Sequence, residues 1–535
     1  MNLNNKYLIN MKNVLFLSLL VISHLFYGYD TKGQEINGDN ITRYTYESLS
    51  IYQRSLLNDF IESMFLQEVQ VQEILTGQVS IRSTTRLASA LLFRNETADI
   101  KNAIEIIKWV LKHQHQEEDT KIYGMWKTSV MNDGQDQNWR EFIGCDLIVI
   151  FENYKNILPA DLLLDIKSSL IHAAKGALIR DVHAEYTNIS IMSSFLMHYV
   201  GTEFGIEHLE IAGLNKAREI YNLFHQYNTF SEYNSPTYDG VSLISLSLWR
   251  ELAKGEMKIM GAILENSLWQ EIATHYNPIL KNMAGPYFRS YGMDMSKYYS
   301  ITGIVMAVAL NDENLAPLPK GKAPKYLEIS NISPLLHLGI QVPENTFQHL
   351  HKNSSDRFLE RFITNQYFAG DSLKRITASI QRDWMMGGIW GNRRVWNQTY
   401  TGTIHWKNSG GEIGWLLVPG DGKTNVQVSN TKMLIYNGED GNLKFRRSDF
   451  SIYIFSHDLS EQNFSEDIWT LSNMKLHITT SLERTYTKIM DSSILRTECA
   501  LSENYPAVMK ITFQVPRIWG REIPLLEIDP EYLKE

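Results

Sequence analysis

The feature that most limits what this chain can become is a single change of hydrophobic period. From about residue 40 to about residue 330, apolar side chains recur at three- and four-residue spacing. Asp99–His113, Phe142–Tyr154, Ala160–Ala177, Ile189–Val200, Leu214–Tyr227 and Val241–Ala253 are examples, and that spacing is the mark of helices. Beyond about residue 365 the period becomes two, as in Arg375–Gln381, Ser451–Phe455 and Val508–Phe513, with turn residues such as Asn437–Gly441 between the runs. The polar, proline-bearing stretch Ala316–Pro324 marks the change of character. Helices followed by strands predict a multidomain chain, an all-α part and then an antiparallel β part. Short loops between helices, with no heptad seam and no strict repeat, predict an (α/α) toroid of hairpins, and the strands predict an antiparallel β-sandwich. The expected limits are a toroid over residues 40–330, a linker over 331–364 and a sandwich over 365–535.

Ahead of the helices, Lys12, the apolar run Val14–Tyr27 and the polar Asp30–Gln34 predict a secretory signal over residues 1–30. The alternative is a buried first helix. The signal reading implies a secreted or periplasmic protein, and no run is long enough to predict a membrane span. Two cysteines, Cys145 and Cys499, provide neither a disulfide framework nor a paired-cysteine metal site. No metal or cofactor is expected. A net charge of -9 argues against nucleic acid as a partner, because such binding needs a cationic field to displace counterions. Aromatic residues make up 11%, a supply suited to stacking on sugar rings.

Four segments concentrate polar and aromatic residues where helices begin. In Gln137–Gly144, Asn138 reads as a helix cap with Glu141 completing a capping box, and Trp139 as either core or a sugar platform. In Glu185–Ser190, Asn188 reads as a cap or as a functional amide, near an uninformative His183. In Phe230–Gly240, Ser235 and Pro236 read as cap and first helical residue, placing Tyr238 in the first turn. The helix dipole and a nearby arginine there favour a phenolate. In Gly285–Asp294, Arg289 sits among aromatics and can fork onto a carboxylate.

Glu232-x-x-Ser235-Pro236-x-Tyr238 resembles the segment that carries the catalytic tyrosine in polysaccharide lyases of the heparinase II/III and alginate-lyase type. Thr187-Asn188 resembles their amide-bearing turn, and Asn138-Trp139-x-x-Phe142-Ile143-Gly144 is similar to the Asn-Trp-Trp segment of hyaluronate and chondroitin lyases. More narrowly, Glu232–Tyr238 and Arg289–Met295 resemble phrases of the rhamnosyl-glucuronate lyases that act on arabinogalactan side chains. There are departures. Chondroitin-type lyases place a histidine where Tyr233 or Asn234 stands, and the alginate type has His or Trp where Ile189 stands. His405, on a strand, is the possible counterpart.

The resemblance implies β-elimination at a 4-linked uronate of an acidic polysaccharide or oligosaccharide. Tyr238, Asn188 and His405 are then the expected catalytic residues. Asn138, Trp139, Arg140, Glu232, Tyr233, Arg289 and Tyr291 are the expected substrate-binding ones, in a locally cationic cleft lined by Trp126, Trp139 and Tyr233. Two other readings stay open. A toroidal glycoside hydrolase would pair Glu232 with Asp239, or Glu141 with Asp146, roughly 6.5 to 9.5 Å apart. A carbohydrate-binding protein would use the same cleft without chemistry.

Overall fold

The computed structural model describes residues 41–65, 80–130, 134–320, 327–352, 356–364, 373–393, 395–438, 448–456, 459–491, 501, 505, 507, 508–516, 519–533. The chain divides into two units, Met1–Ile41 and Thr42–Glu535. The expected signal segment lies outside the described residues, as do Cys499 and much of the turn expected at Asn437–Gly441.

In the second unit, helices fill the first half and antiparallel sheets the second, as the change of period predicts. The longer helices are Ile51–Phe65, Ile81–Arg94, Thr97–Leu111, Trp139–Tyr154, Ala160–Arg180, Thr187–Phe204, Glu207–Tyr227, Tyr238–Leu252, Gly255–His275 and Ile301–Leu310. Several start or end a few residues beyond the apolar run that announced them. Ala160–Arg180, for example, continues past Ala177 through the exposed Leu178 and Ile179 to Arg180. Thr187–Phe204 is buried at every position from Thr187 to Gly201, and so belongs to the interior of the helical layer rather than to its amphipathic rim. Its neighbour Glu207–Tyr227 packs so closely that a Cβ on Gly213 would meet the His198 backbone. Only glycine allows that approach.

The two larger sheets hold eight and five strands, and every registered pair within them is antiparallel. They share one core. Met386, Ile404, Leu416 and Ile452 come from the larger sheet, and Val426, Ile435, Trp469 and Leu476 from the smaller.

Within residues 331–364, expected to be a linker, the described residues 331–352 and 356–364 form built structure instead. Ile332, Leu335, Leu338, Ile340, Val342 and Leu350 are buried in the helical core. Arg357–Ile363 is already an edge strand paired with Lys374–Ile380. The alternation in Arg357–Ile363 is hidden because its exposed positions are Phe358, Glu360 and Phe362, while Arg357 and Arg361 share the inward face with buried Leu359 and Ile363; inward-pointing charges of this kind keep an edge from pairing with another chain.

The strand Val395–Lys407 carries two register irregularities, between Trp396 and Tyr400 and between Tyr400 and Gly402. That irregular segment is stitched to the loop following the helix Gly255–His275. Tyr400 N donates to Tyr287 O at 2.9 Å, Ser290 N to Gln398 O at 2.9 Å, and Thr399 Oγ1 to Phe288 O at 3.2 Å. Beneath it, Gly387 on the neighbouring strand leaves no room for a side chain, since a Cβ there would overlap the Gly285 carbonyl. Gly387→Ala should therefore push the loop off the sheet and cost about 1–3 kcal/mol by overpacking. A urea unfolding midpoint equal to that of the unchanged protein would mean that the loop is not seated there.

Candidate active site

Two loops converge where the helices Thr187–Phe204 and Tyr238–Leu252 begin. The first, Thr229–Thr237, turns through Asn234, which has a left-handed φ of 49°, a conformation that asparagine tolerates better than most residues. Its Nδ2 donates to Ala284 O at 2.6 Å and Pro286 O at 2.7 Å, tying this loop to the second. Ser235 Oγ accepts from Tyr238 N at 3.2 Å while Asp239 Oδ2 accepts from Ser235 N at 3.0 Å. These reciprocal bonds start the helix at Tyr238, two residues later than the serine-proline signal suggests.

Glu232 is buried at the centre of the arrangement. Its Oε2 accepts from Asn188 N at 3.0 Å and Asn188 Nδ2 at 2.7 Å, and its Oε1 accepts from Arg289 Nη1 at 2.5 Å. The Arg289 guanidinium lies 3.9 Å from the centre of the Tyr238 ring, close enough for a cation–π contact. Arg289 Nε donates to Gln398 Oε1 at 2.7 Å, and Gln398 Nε2 donates to Tyr291 Oη at 2.7 Å. The Tyr291 ring lies 6.2 Å from that of Tyr238 and is 43% exposed. Asn188, Glu232, Arg289, Tyr238 and Tyr291 thus form one chain of contacts, with half-buried Tyr238 and exposed Tyr291 at its open end.

Asn138 belongs to a second, similar arrangement. It makes no cap bond. Instead its Oδ1 accepts from Arg180 Nη2 at 2.7 Å and its Nδ2 donates to Tyr186 Oη at 2.9 Å. Arg180 Nη1 also holds the buried Glu141 at 3.0 Å. Tyr186 lies within electrostatic reach of both Glu232 and Arg289, which joins the two arrangements.

Several expectations are corrected. Tyr238 is not poised as a phenolate, because burial pushes its pKa up to about 12, with Arg289 pulling the other way and Glu232 adding to the rise. Asn188 is fully buried and spends its amide on Glu232, since a buried carboxylate must find donors. Burial raises the Glu232 pKa, against the pull of Arg289 and Asn188. His405 is fully buried, stacked on Trp415 at 4.3 Å, and burial drives its pKa down to about 3, so it is a packed neutral ring.

Tyr233 points inward to His275 Nε2 at 2.5 Å, and Trp126 and Trp139 are buried rather than lining a cleft. Arg140 is buried with Nε and Nη2 on the Tyr123 carbonyl at 3.0 and 2.7 Å. The cations come paired with carboxylates, Arg289 with Glu232 and Arg180 with Glu141, so the site is not a bare cationic patch. The carboxylates considered for hydrolysis are likewise engaged: Glu232 and Glu141 as above, Asp146 by Arg86 at 2.9 Å and Asp239 by Ser235.

Sequence reasoning missed Gln398, Arg180 and a role for Tyr186. Arg180 was legible as a cation in the last turn of a helix read too short, and Tyr186 stands two residues before Asn188. Gln398 gives no local signal. Among the described residues, no group of three or more His, Cys, Asp or Glu is placed to hold a metal ion, and no helix is long and apolar enough to cross a membrane.

The family model described as "Domain of unknown function (DUF8769)" matches residues 57–336, just over half of the chain. No curated protein matches the sequence. Among solved structures, the chain is similar to a heparinase III at 10% identity and a TM-score of 0.36, covering 98% of this chain and 90% of that one. It is similar to the Streptomyces coelicolor A3 chondroitin AC lyase, solved in complex with chondroitin sulphate, at 9% identity and a TM-score of 0.43, covering 94% and 80%. It is also similar to a Paenibacillus xanthan lyase at 10% identity and a TM-score of 0.40, covering 92% and 58%.

The Glu232–Arg289 pair generates a stability prediction. Both side chains are buried, so removing either partner strands the other charge and should cost about 3–5 kcal/mol. Glu232→Gln and Arg289→Met combined should cost clearly less than the sum of the two. Urea unfolding of the four proteins checks this, and strict additivity would mean that the two charges are not coupled.

Proposed function

The chain belongs to this family of unknown function, and from its site we propose that it is a polysaccharide lyase cleaving a 4-linked uronic-acid glycan by β-elimination. The observation that carries the reading is the Tyr238 phenol lying against the Arg289 guanidinium at 3.9 Å, at the open end of a chain that runs through Glu232 to Asn188. These are the residue types that the lyase resemblance implies, drawn together from segments up to about a hundred residues apart. On this reading the helical hairpins are an (α/α) toroid, the two sheets are a β-sandwich, and the protein is exported by residues 1–30 to a secreted or periplasmic location. The finer substrate, rhamnose-glucuronate linkages of arabinogalactan, rests on the phrases Glu232–Tyr238 and Arg289–Met295.

The chemistry follows from charge. The proton on C5 of a uronate becomes removable when the adjacent carboxylate is neutralised, because negative charge develops there in the transition state. Arg289 serves that carboxylate while Glu232 and Gln398 hold its guanidinium in place. Tyr238 takes the C5 proton, the C4–O bond breaks as the C4–C5 double bond forms, and the same phenol returns the proton to the leaving oxygen. Few phenols are ionised when the pKa is about 12, yet each phenolate is correspondingly strong as a base, and the rate follows the product of the two. The engaged carboxylates of the site leave no pair suited to activating water for hydrolysis.

Tyr238→Phe removes one oxygen and keeps the ring under Arg289. It should lower the yield of unsaturated uronate about 100-fold or more while leaving the unfolding midpoint nearly unchanged. Near-normal product would end the tyrosine mechanism.

The pH profile gives an independent check. kcat/KM reports the free enzyme, and a base that titrates at about 12 requires it to climb with pH across the range in which the protein stays folded. A profile that is flat from neutral pH upward would assign Tyr238 only the acid role.

A further inference from the structure

The exposed end of the Arg289–Gln398–Tyr291 chain has a polarity forced by its chemistry. Arginine Nε–H can only donate, so the Gln398 atom 2.7 Å from it must be the carbonyl oxygen. The other side of the amide is then the NH2 group, which donates to Tyr291 Oη at 2.7 Å. A phenol whose oxygen already accepts keeps its own hydrogen for an outward bond, and Tyr291 is 43% exposed beside Tyr238.

We propose that Gln398 is a positioning residue of this site. Supplied by the sheet, it holds Tyr291 as an outward hydrogen-bond donor next to the Arg289 charge, so that the site selects a ligand presenting an acceptor-only anionic group, a carboxylate, beside Tyr238. The substrate class rests on the lyase reading above. The bond polarity stands on the geometry alone. The helical side has the same sense, because Arg180 donates to Asn138 Oδ1 and Asn138 Nδ2 donates to Tyr186 Oη. In both places a guanidinium fixes an amide and the amide fixes a phenol.

Gln398→Glu is the discriminating substitution. A carboxylate of the same shape accepts from both Arg289 and Tyr291, which keeps the packing and the arginine contact but turns the phenol hydrogen inward. The unfolding midpoint should hold or rise. Affinity for a 4-linked oligoglucuronate, measured by calorimetry, should fall about 10- to 100-fold, the worth of a hydrogen bond to a charged group. Gln398→Met removes both bonds without adding charge and should also weaken binding, by a smaller factor.

If only the charged variant loses affinity, repulsion is the cause and the positioning role is overturned. Unchanged affinity in both variants also overturns it, while unsaturated product from the unaltered protein would leave the lyase reading standing. Binding that is lost in both variants, in a protein whose unaltered form binds the oligoglucuronate yet releases no unsaturated product, supports the positioning role and ends the lyase reading. An unaltered protein that neither binds nor cleaves the oligoglucuronate overturns the carboxylate selection proposed here.

Discussion

A carboxylate buried without water must collect its compensation from whatever surrounds it, and Glu232 collects it from two helix-side segments at once. Asn188 contributes its backbone N–H and its amide, and Arg289 contributes a charge. Arg289 is then itself a buried cation needing further acceptors, and one of these is Gln398, borne by the sheet. Satisfying one charge therefore recruits the start of one helix, the loop before another and a strand more than a hundred residues away. The ion pair gives little net stability once desolvation is counted, and its value lies in the geometry it enforces.

Tyr238 sits where two of these influences conflict. Burial favours its neutral form and the neighbouring guanidinium favours its anion, and burial is the larger effect. On the proposed lyase reading, a phenol held neutral until a ligand arrives is a reactive group kept quiet, beside a cation that favours its ionisation. The conflict is produced by packing, because the same loop contacts that bring Arg289 over the ring also exclude water from it.

The architecture was legible because it depends on averages. A helix such as Trp139–Tyr154 or a strand such as Ser451–Phe455 repeats its signal over several residues, so an error at one position does not matter. The linker reading failed where the average failed, in an edge strand that turns Phe358 and Phe362 outward and keeps Arg357 and Arg361 on the face of Leu359 and Ile363. The site was legible only as a set of residue types. Asn138 and Asn188 both look like helix caps from their neighbours in sequence, and both spend their side chains on partners more than forty residues away. His405 looked available because a strand position does not reveal that Trp415 covers it. Hydrogen-bond partners set by tertiary approach leave no trace in a single sequence, which is why Gln398 went unnoticed.

The irregular stretch of the strand Val395–Lys407 has a consequence for how this protein can vary. Side chains on a strand change face with every residue, and each added or lost residue reverses all those beyond it. A bulge resets that alternation locally and re-aims what it carries, and here what it carries includes Gln398. The segment from Trp396 to Gly402 is thus constrained in length as well as at Gln398. Insertions and deletions that are harmless in the surrounding hairpin turns are expected to be filtered out there, since each would turn the amide away from Arg289.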